Sequence, residues 1–342
     1  MKEVKIDMNE KTRLTISIPE NARASVPLVF RQSVAHGVWV NWGDNDYPET
    51  FEQAGIVHGE HTYAAPGTYV IEMYAVDDCV LELGGGSPDD GLFGGDDGYR
   101  QMLIAAEIGK DVYCISRYAF SRCGNLEEVS LPEGLCSIGE YAFDGCYSLK
   151  SVEIPDGMAE IRAGTFFGCT ALESVILSAG IVLIGNYAFY NCCALSEIDL
   201  SRVEEVGDCA FQACRKLQTV TLSPLLKELG KHAFEDCTAL KEISLPEGVK
   251  RINERVFANC RVASRIAIPR SVKVIATEAF ENCAFAREVA VLSEKPPVLE
   301  SPYAFRGLAE DCVIRVPSAA KALYEGATNW IVYKTRMEVT AE

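Results

Sequence analysis

An alanine-phenylalanine pair followed three residues later by cysteine returns along this chain at a nearly fixed interval. The phenylalanines stand at Phe120, Phe143, Phe166, Phe189, Phe211, Phe234, Phe257 and Phe280, in steps of 23 or 22 residues, with a last copy at Phe305 after a step of 25. The cysteine column runs without a gap from Cys123 through Cys146, Cys169, Cys192, Cys214, Cys237 and Cys260 to Cys283. Six places after each phenylalanine comes leucine (Leu126 to Leu240), giving way to Ala263 and Ala286 in the last units. Further apolar columns begin at Ile115, Val129 and Leu131.

A unit this short cannot close a core by itself, so its apolar columns must stack on those of the next coil, which defines a solenoid. The segment L-x-x-V-x-L ends in strand-like alternation, and its β-branched residues suit a pleated surface. One such strand per coil makes a parallel sheet. Pro132, Pro155, Pro246 and Pro269 follow several strands and cannot donate to the ladder, and Gly134, Gly157 and Gly248 supply turns. The Ala-Phe-x-x-Cys stretch is expected to form a short helical or 3₁₀ turn on the opposite side.

These columns resemble the BspA-like leucine-rich repeats of bacterial and protist surface proteins, whose unit reads roughly I-G-x-x-A-F-x-x-C-x-x-L-x-x-I-x-L-P. Ile138, Gly139, Ala142, Phe143, Cys146, Leu149, Val152, Ile154 and Pro155 follow that pattern. The resemblance implies an α/β repeat solenoid over residues 100–342, closed from about residue 296 by a cap using Val316, Pro317, Tyr324, Trp330 and Tyr333. Two departures stand out. The coil between Leu200 and Val203 is one residue short and is expected to bend the solenoid, and the alanines in the leucine column are expected to thin its core. Residues 1–83 lack the repeat. Trp39 to Asp44 and His61 to Ile71 resemble the core strand and hairpin of a PKD-type β-sandwich, with Asn45 in place of a turn glycine. Residues 84–99, rich in glycine and aspartate, read as a flexible linker or a long loop with almost nothing to bury.

The formal net charge of −17 argues against nucleic-acid binding, which needs clustered Lys and Arg, and against an anionic membrane surface. No apolar run reaches the ~18 residues of a membrane span, and residues 1–19 lack the apolar stretch of a signal peptide. The family resemblance nevertheless implies the cell surface or secretion. Either a signal has been removed, or the protein leaves by another route or stays inside. Eight of the 14 cysteines share one column. Stacked in register, they point the same way, which suits neither tetrahedral zinc nor disulfides and favours buried free thiols. Cys114 and Cys136, on adjacent coils, could approach each other. Four histidines, His36, His58, His61 and His232, offer little to catalysis, and a Cys209–His232 dyad lacks an orienting third group. The glycines of residues 84–98 lack a P-loop lysine, and Asp89, Asp90, Asp96 and Asp97 match no calcium loop. No cofactor, metal or catalytic residue is expected.

What remains is the surface that repetition builds. Side chains alternate along a strand, so the residues eight and ten places after each phenylalanine must face solvent. Through the sixth coil they are Glu128, Ser130, Ser151, Glu153, Ser174, Ile176, Glu197, Asp199, Thr219, Thr221, Glu242 and Ser244. This strip of acids and small hydroxyls suits another protein's side chains or a glycan better than a buried small molecule. The expectation is a monomeric, non-enzymatic surface protein that binds a protein partner through this face. The alternatives are a structural spacer or assembly module without its own ligand, and a carbohydrate binder. Exposed aromatics would favour the glycan, yet the two columns contain none.

Overall fold

A computed structural model describes residues 11–20, 25–44, 47–76 and 78–340. The expectations placed on Asn45 and on residues 1–10 lie outside the described residues. The chain divides into two compact units, residues 1–180 and 181–342.

The first unit begins with antiparallel strands β1 (Thr12–Ile18), β2 (Ser25–Gln32), β3 (Val38–Asn41), β4 (Glu49–Thr50), β5 (Gly55–Thr62), β6 (Gly67–Ala75) and β7 (Leu81–Leu83). The chain continues through β8 (Leu103–Glu107), β9 (Val112–Ile115), β10 (Glu128–Ser130) and β11 (Ser137–Ile138). One sheet has the order β10-β8-β1-β6-β3-β4 and the other β11-β9-β7-β2-β5. Alternation explains the two-sheet packing: in β1, Leu14, Ile16 and Ile18 are buried while Ser17 is exposed.

In both sheets the pairing changes from antiparallel to parallel. Strand β8 pairs antiparallel with β1 and parallel with β10. Strand β7 pairs antiparallel with β2 and parallel with β9, which in turn pairs with β11. The N-terminal sheets therefore supply the ladder on which the first coil is built, and they cover an edge that would otherwise be unpaired.

The structure differs from the flexible linker expected at residues 84–99. Leu92 and Phe93 are fully buried. Val29 N donates to Leu92 O at 2.8 Å, and Leu92 N to Ala119 O at 2.6 Å. The second bond has the form of Phe120 N to Ala142 O at 2.7 Å, so Leu92 occupies the phenylalanine place of an incomplete coil. Ser87 caps a 3₁₀ turn at Pro88–Asp90, Asp96 caps a short helix at Asp97–Arg100, and the buried Arg100 binds the carbonyls of Gly94 and Pro88. Glycine and aspartate serve here as turn and cap residues, which ties the segment down.

The repeats form a parallel-strand β-solenoid with little helix. Each coil has a strand on one face, a two-residue strand of a second sheet, and an arc carrying phenylalanine and cysteine. The arc is not the short helical or 3₁₀ turn expected from the sequence. It is a run of turns in which two residues per coil are left-handed, such as Tyr118 (φ 59°) and Arg122 (φ 62°). Alternate N–H groups therefore point along the solenoid: Tyr118, Phe120 and Arg122 donate to Glu140, Asp144 or Ala142 of the next coil, while Ala119, Ser121 and Cys123 donate three residues back within their own.

The arc phenylalanines are buried and stacked. In the first unit Phe120 and Phe143 lie 5.0 Å apart and Phe143 and Phe166 5.5 Å. In the second, Phe189, Phe211, Phe234, Phe257, Phe280 and Phe305 continue at 5.2–5.6 Å. The column ends against Trp330, with its ring 5.7 Å from Phe305 and its Nε1 donating to Pro297 O at 2.7 Å. Tyr324 packs edge-on against Trp330 and Tyr333 edge-on against Phe305, and Tyr324 Oη donates to Ser293 O at 2.7 Å. The short coil keeps its ladder, since Glu197–Leu200 and Thr219–Leu222 pair over four residues.

Candidate interaction surface

All 14 cysteines are free. In the arc column six thiols donate to a phenylalanine carbonyl of the preceding coil: Cys146 to Phe120 O and Cys214 to Phe189 O at 3.2 Å, Cys169 to Phe143 O at 3.1 Å, and Cys237, Cys260 and Cys283 to Phe211, Phe234 and Phe257 O at 3.3 Å. Burial pushes the Cys123 and Cys283 thiols up to about 12 and raises Cys146, Cys237 and Cys260 well above the ordinary range. These groups are held as thiols, the form that neither attacks nor ligates metal. His232 turns its Nδ1 to Glu235 at 2.7 Å, and burial raises the Cys209 thiol as well.

All twelve strand-face residues singled out in the sequence are exposed. The first unit carries Glu128, Ser130, Ser151, Glu153, Ser174 and Ile176, the last 60% exposed, and the second carries Glu197, Asp199, Thr219, Thr221, Glu242 and Ser244. The buried residues between them, such as Val152, Ile198 and Ile243, fix this orientation by period-2 alternation. Nearby cations are engaged elsewhere: Lys150 pairs with Glu127 at 2.6 Å and Arg265 with Glu288 at 3.3 Å. Among the described residues no ion pair reaches Glu128, Glu153, Glu197, Asp199 or Glu242. The sheet face that carries Glu128 and Ser130 continues onto the N-terminal strands. There Trp39 and Tyr74, paired across β3 and β6, hold parallel rings 6.2 Å apart, and Lys11 Nζ lies 5.4 Å over Tyr74.

Sequence reasoning missed an ionic cluster on the arc of the second unit. Arg255 binds Glu235, Glu278 and Glu281, and Arg306 reaches Glu278 and Glu281. Burial acts to raise the Glu281 carboxyl, but the hydrogen bonds from Arg306 and Arg255 prevail and hold it below its ordinary range. The available signal was opposite charge one coil apart, as in Arg255 and Glu278. Among the described residues no group of three or more His, Cys, Asp or Glu could hold a metal ion, and no helix is long and apolar enough to cross a membrane.

The coil geometry agrees with a family match. The model of the BspA type leucine rich repeat region matches six copies over residues 99–217 and 184–295, more than half of the chain. The chain belongs to the BspA-type leucine-rich repeat family. Solved structures of similar proteins include a leucine rich cell surface protein of Faecalibacterium prausnitzii (20% identity, 75% of this chain, 87% of that one, TM-score 0.38). Others are the leucine-rich repeat protein of T. pallidum (26% identity, 55% and 76%, TM-score 0.37) and the pneumococcal vaccine antigen PcpA (14% identity, 72% and 82%, TM-score 0.34). No curated relative matches.

Proposed function

We propose that this BspA-type protein is a non-catalytic binding protein of the bacterial surface or secreted fraction that engages a protein partner through the strand face. The observation that carries this reading is the exposed carboxylates on the strand face of each unit, Glu128 and Glu153 in the first and Glu197, Asp199 and Glu242 in the second, left without ion pairs among the described residues while Lys150 and Arg265 pair with other carboxylates. Such a surface attracts a basic partner and repels acidic ones. The surface location is supported by family membership. A glycan reading draws on Trp39 and Tyr74, but Lys11 covers the Tyr74 ring and would have to leave before a sugar could stack there.

The test uses the full chain, because the N-terminal sheets and the first coil share their ladders. Glu153→Lys together with Asp199→Lys should leave the circular dichroism spectrum unchanged and lower capture of a surface-extract partner by at least about tenfold, as expected for charge reversal at an electrostatic interface. Capture at wild-type level would place the binding site elsewhere.

A further inference from the structure

The strand-face sheet of the second unit is not continuous. Thr219–Leu222 pairs on one side with Glu197–Leu200, and Glu242–Ser244 pairs on its far side with Arg265–Ile268. These strands belong to separate sheets. Among the described residues the strand-face backbone is joined across this seam only at its start, by Lys241 N donating to Gln218 O at 3.2 Å. The arc of the same two coils stays closed: Phe234 N donates to Val256 O at 2.9 Å, Cys260 Sγ to Phe234 O at 3.3 Å, and the Phe234 and Phe257 rings lie 5.6 Å apart. The coils are thus latched at the arc and open at the strand face.

The opening is a hollow of about 390 Å³ that runs from the strand edges down to Phe234, Leu240 and Phe257. It changes the exposure of core positions. Val220 and Leu222 are half-buried, whereas their counterparts Ile198 and Leu200 are 3% and 0% exposed. Facing strand edges with unused backbone donors and acceptors are a template for an added strand. Apolar walls beneath such edges give alternate side chains of that strand somewhere to go. The exposed side chains beside the seam are Thr219 and Thr221 on one strand and Glu242 and Ser244 on the other, with Glu197 and Asp199 one strand further out. The one cation lining the hollow is Lys241, at the closed end, and Arg265, the cross-strand neighbour of Glu242 on its far side, is paired with Glu288.

We infer that this seam accepts an extended segment of a partner in which apolar and basic side chains alternate. The segment hydrogen-bonds to the two open edges, lowers its apolar residues between Val220, Leu222 and Ile243, and sets its basic residues beside Glu242, Asp199 and Glu197. Strands pair about 4.8 Å apart, so a lysine on the added strand is a direct neighbour of Glu242 and within side-chain reach of the next column. The inference rests on the strand-face reading above and adds to it the class of partner and the mode of recognition.

Two measurements on the full chain test it. In hydrogen exchange, amides of residues 219–222 and 242–244 should exchange at least about tenfold faster than those of residues 265–268, which lie inside a continuous sheet. Equal protection would mean that the seam is closed in solution and would overturn the inference. In anisotropy titrations, a labelled eight-residue peptide alternating lysine and valine should bind and slow exchange at 219–222 and 242–244. The same peptide with N-methylated valines, and one alternating glutamate and valine, should each bind at least tenfold more weakly, as should the lysine–valine peptide to Glu242→Lys. No binding, or N-methylated peptide binding equally well, would overturn strand addition. If capture of a partner still depended on Glu153 and Asp199 in that case, only the seam would be lost and the strand-face reading would stand.

Discussion

Phe93→Ala should destabilise the first unit severely, although the residue lies in a segment of glycines and aspartates. Phe93 is fully buried, and its neighbour Leu92 bridges Val29 of the N-terminal sheet to Ala119 of the first arc. Truncating a buried phenylalanine costs about 3–5 kcal/mol when the site does not collapse. Domains are commonly stable by only about 5–15 kcal/mol, so the loss is a large share. For a unit of 180 residues each kcal/mol moves the midpoint by roughly 2–4 °C, which gives a drop of roughly 6–20 °C. Thermal unfolding followed by circular dichroism would measure it, and limited proteolysis would show whether residues 84–99 become cleavable in the variant while resisting in the wild type. If Phe93→Ala shifted the transition by less than a degree, and protease cut the wild type in this segment to leave two folded pieces, the segment would be a linker after all and the shared-ladder account of the first coil would fail.

Thiol chemistry offers the next test: only exposed Cys136 and half-buried Cys79, Cys114 and Cys193 should react with Ellman's reagent in the native state, against all 14 in denaturant, and prompt native reaction of more than four would contradict the arc geometry. The same thiols predict alkaline weakening. Unfolded cysteine ionises near ~8.5, whereas Cys123 and Cys283 are held up to about 12, so the unfolded state gives up protons first. The stability these thiols contribute is full below about pH 8.5 and declines as pH rises towards 12, by about 1 kcal/mol for each thiol at pH 9.5, and a denaturant midpoint unchanged between pH 8 and 10 would count against it. Ala213 sits in the left-handed region at φ 62°, so Ala213→Gly should raise stability by about 0.5–1 kcal/mol in urea titration; a loss would show that its methyl packing outweighs the strain.

The core was legible because each apolar column has one environment, repeated coil after coil, and the twelve exposed residues followed from alternation alone. The arc conformation was half legible. Its second left-handed position holds Gly145, Gly168, Asn191, Asp236, Asn259 and Asn282, which tolerate positive φ, beside Arg122 and Ala213, which give no such signal, and its first holds Tyr118, Tyr141 and His232, which give none either. Residues 84–99 misled because composition hid two core residues: Leu92 stands in the phenylalanine place without the alanine and cysteine that mark it elsewhere. The seam left no trace in the sequence. Thr219 to Leu222 reads T-V-T-L, as good a strand as any in the chain, and pairing is a property of two coils rather than one.

The cysteine column explains how the strand face can differ from coil to coil without loss of the scaffold. The Phe120 carbonyl accepts the N–H of Cys123 at 3.1 Å within its coil and the thiol of Cys146 at 3.2 Å from the next, so both lone pairs of a buried acceptor are used. Alanine at the cysteine would remove the second donor, while serine would bring a more polar group into a fully buried site at a shorter reach. The latch, the phenylalanine stack and the backbone bonds of the arc all lie away from the strand face. At the coils on either side of the seam these arc contacts persist although the strand-face ladder does not. Cohesion is therefore carried by the side of each coil away from the strand face, which is why Glu153, Asp199 and Glu242 can be reversed in charge as a test of the proposed binding without testing the fold at the same time.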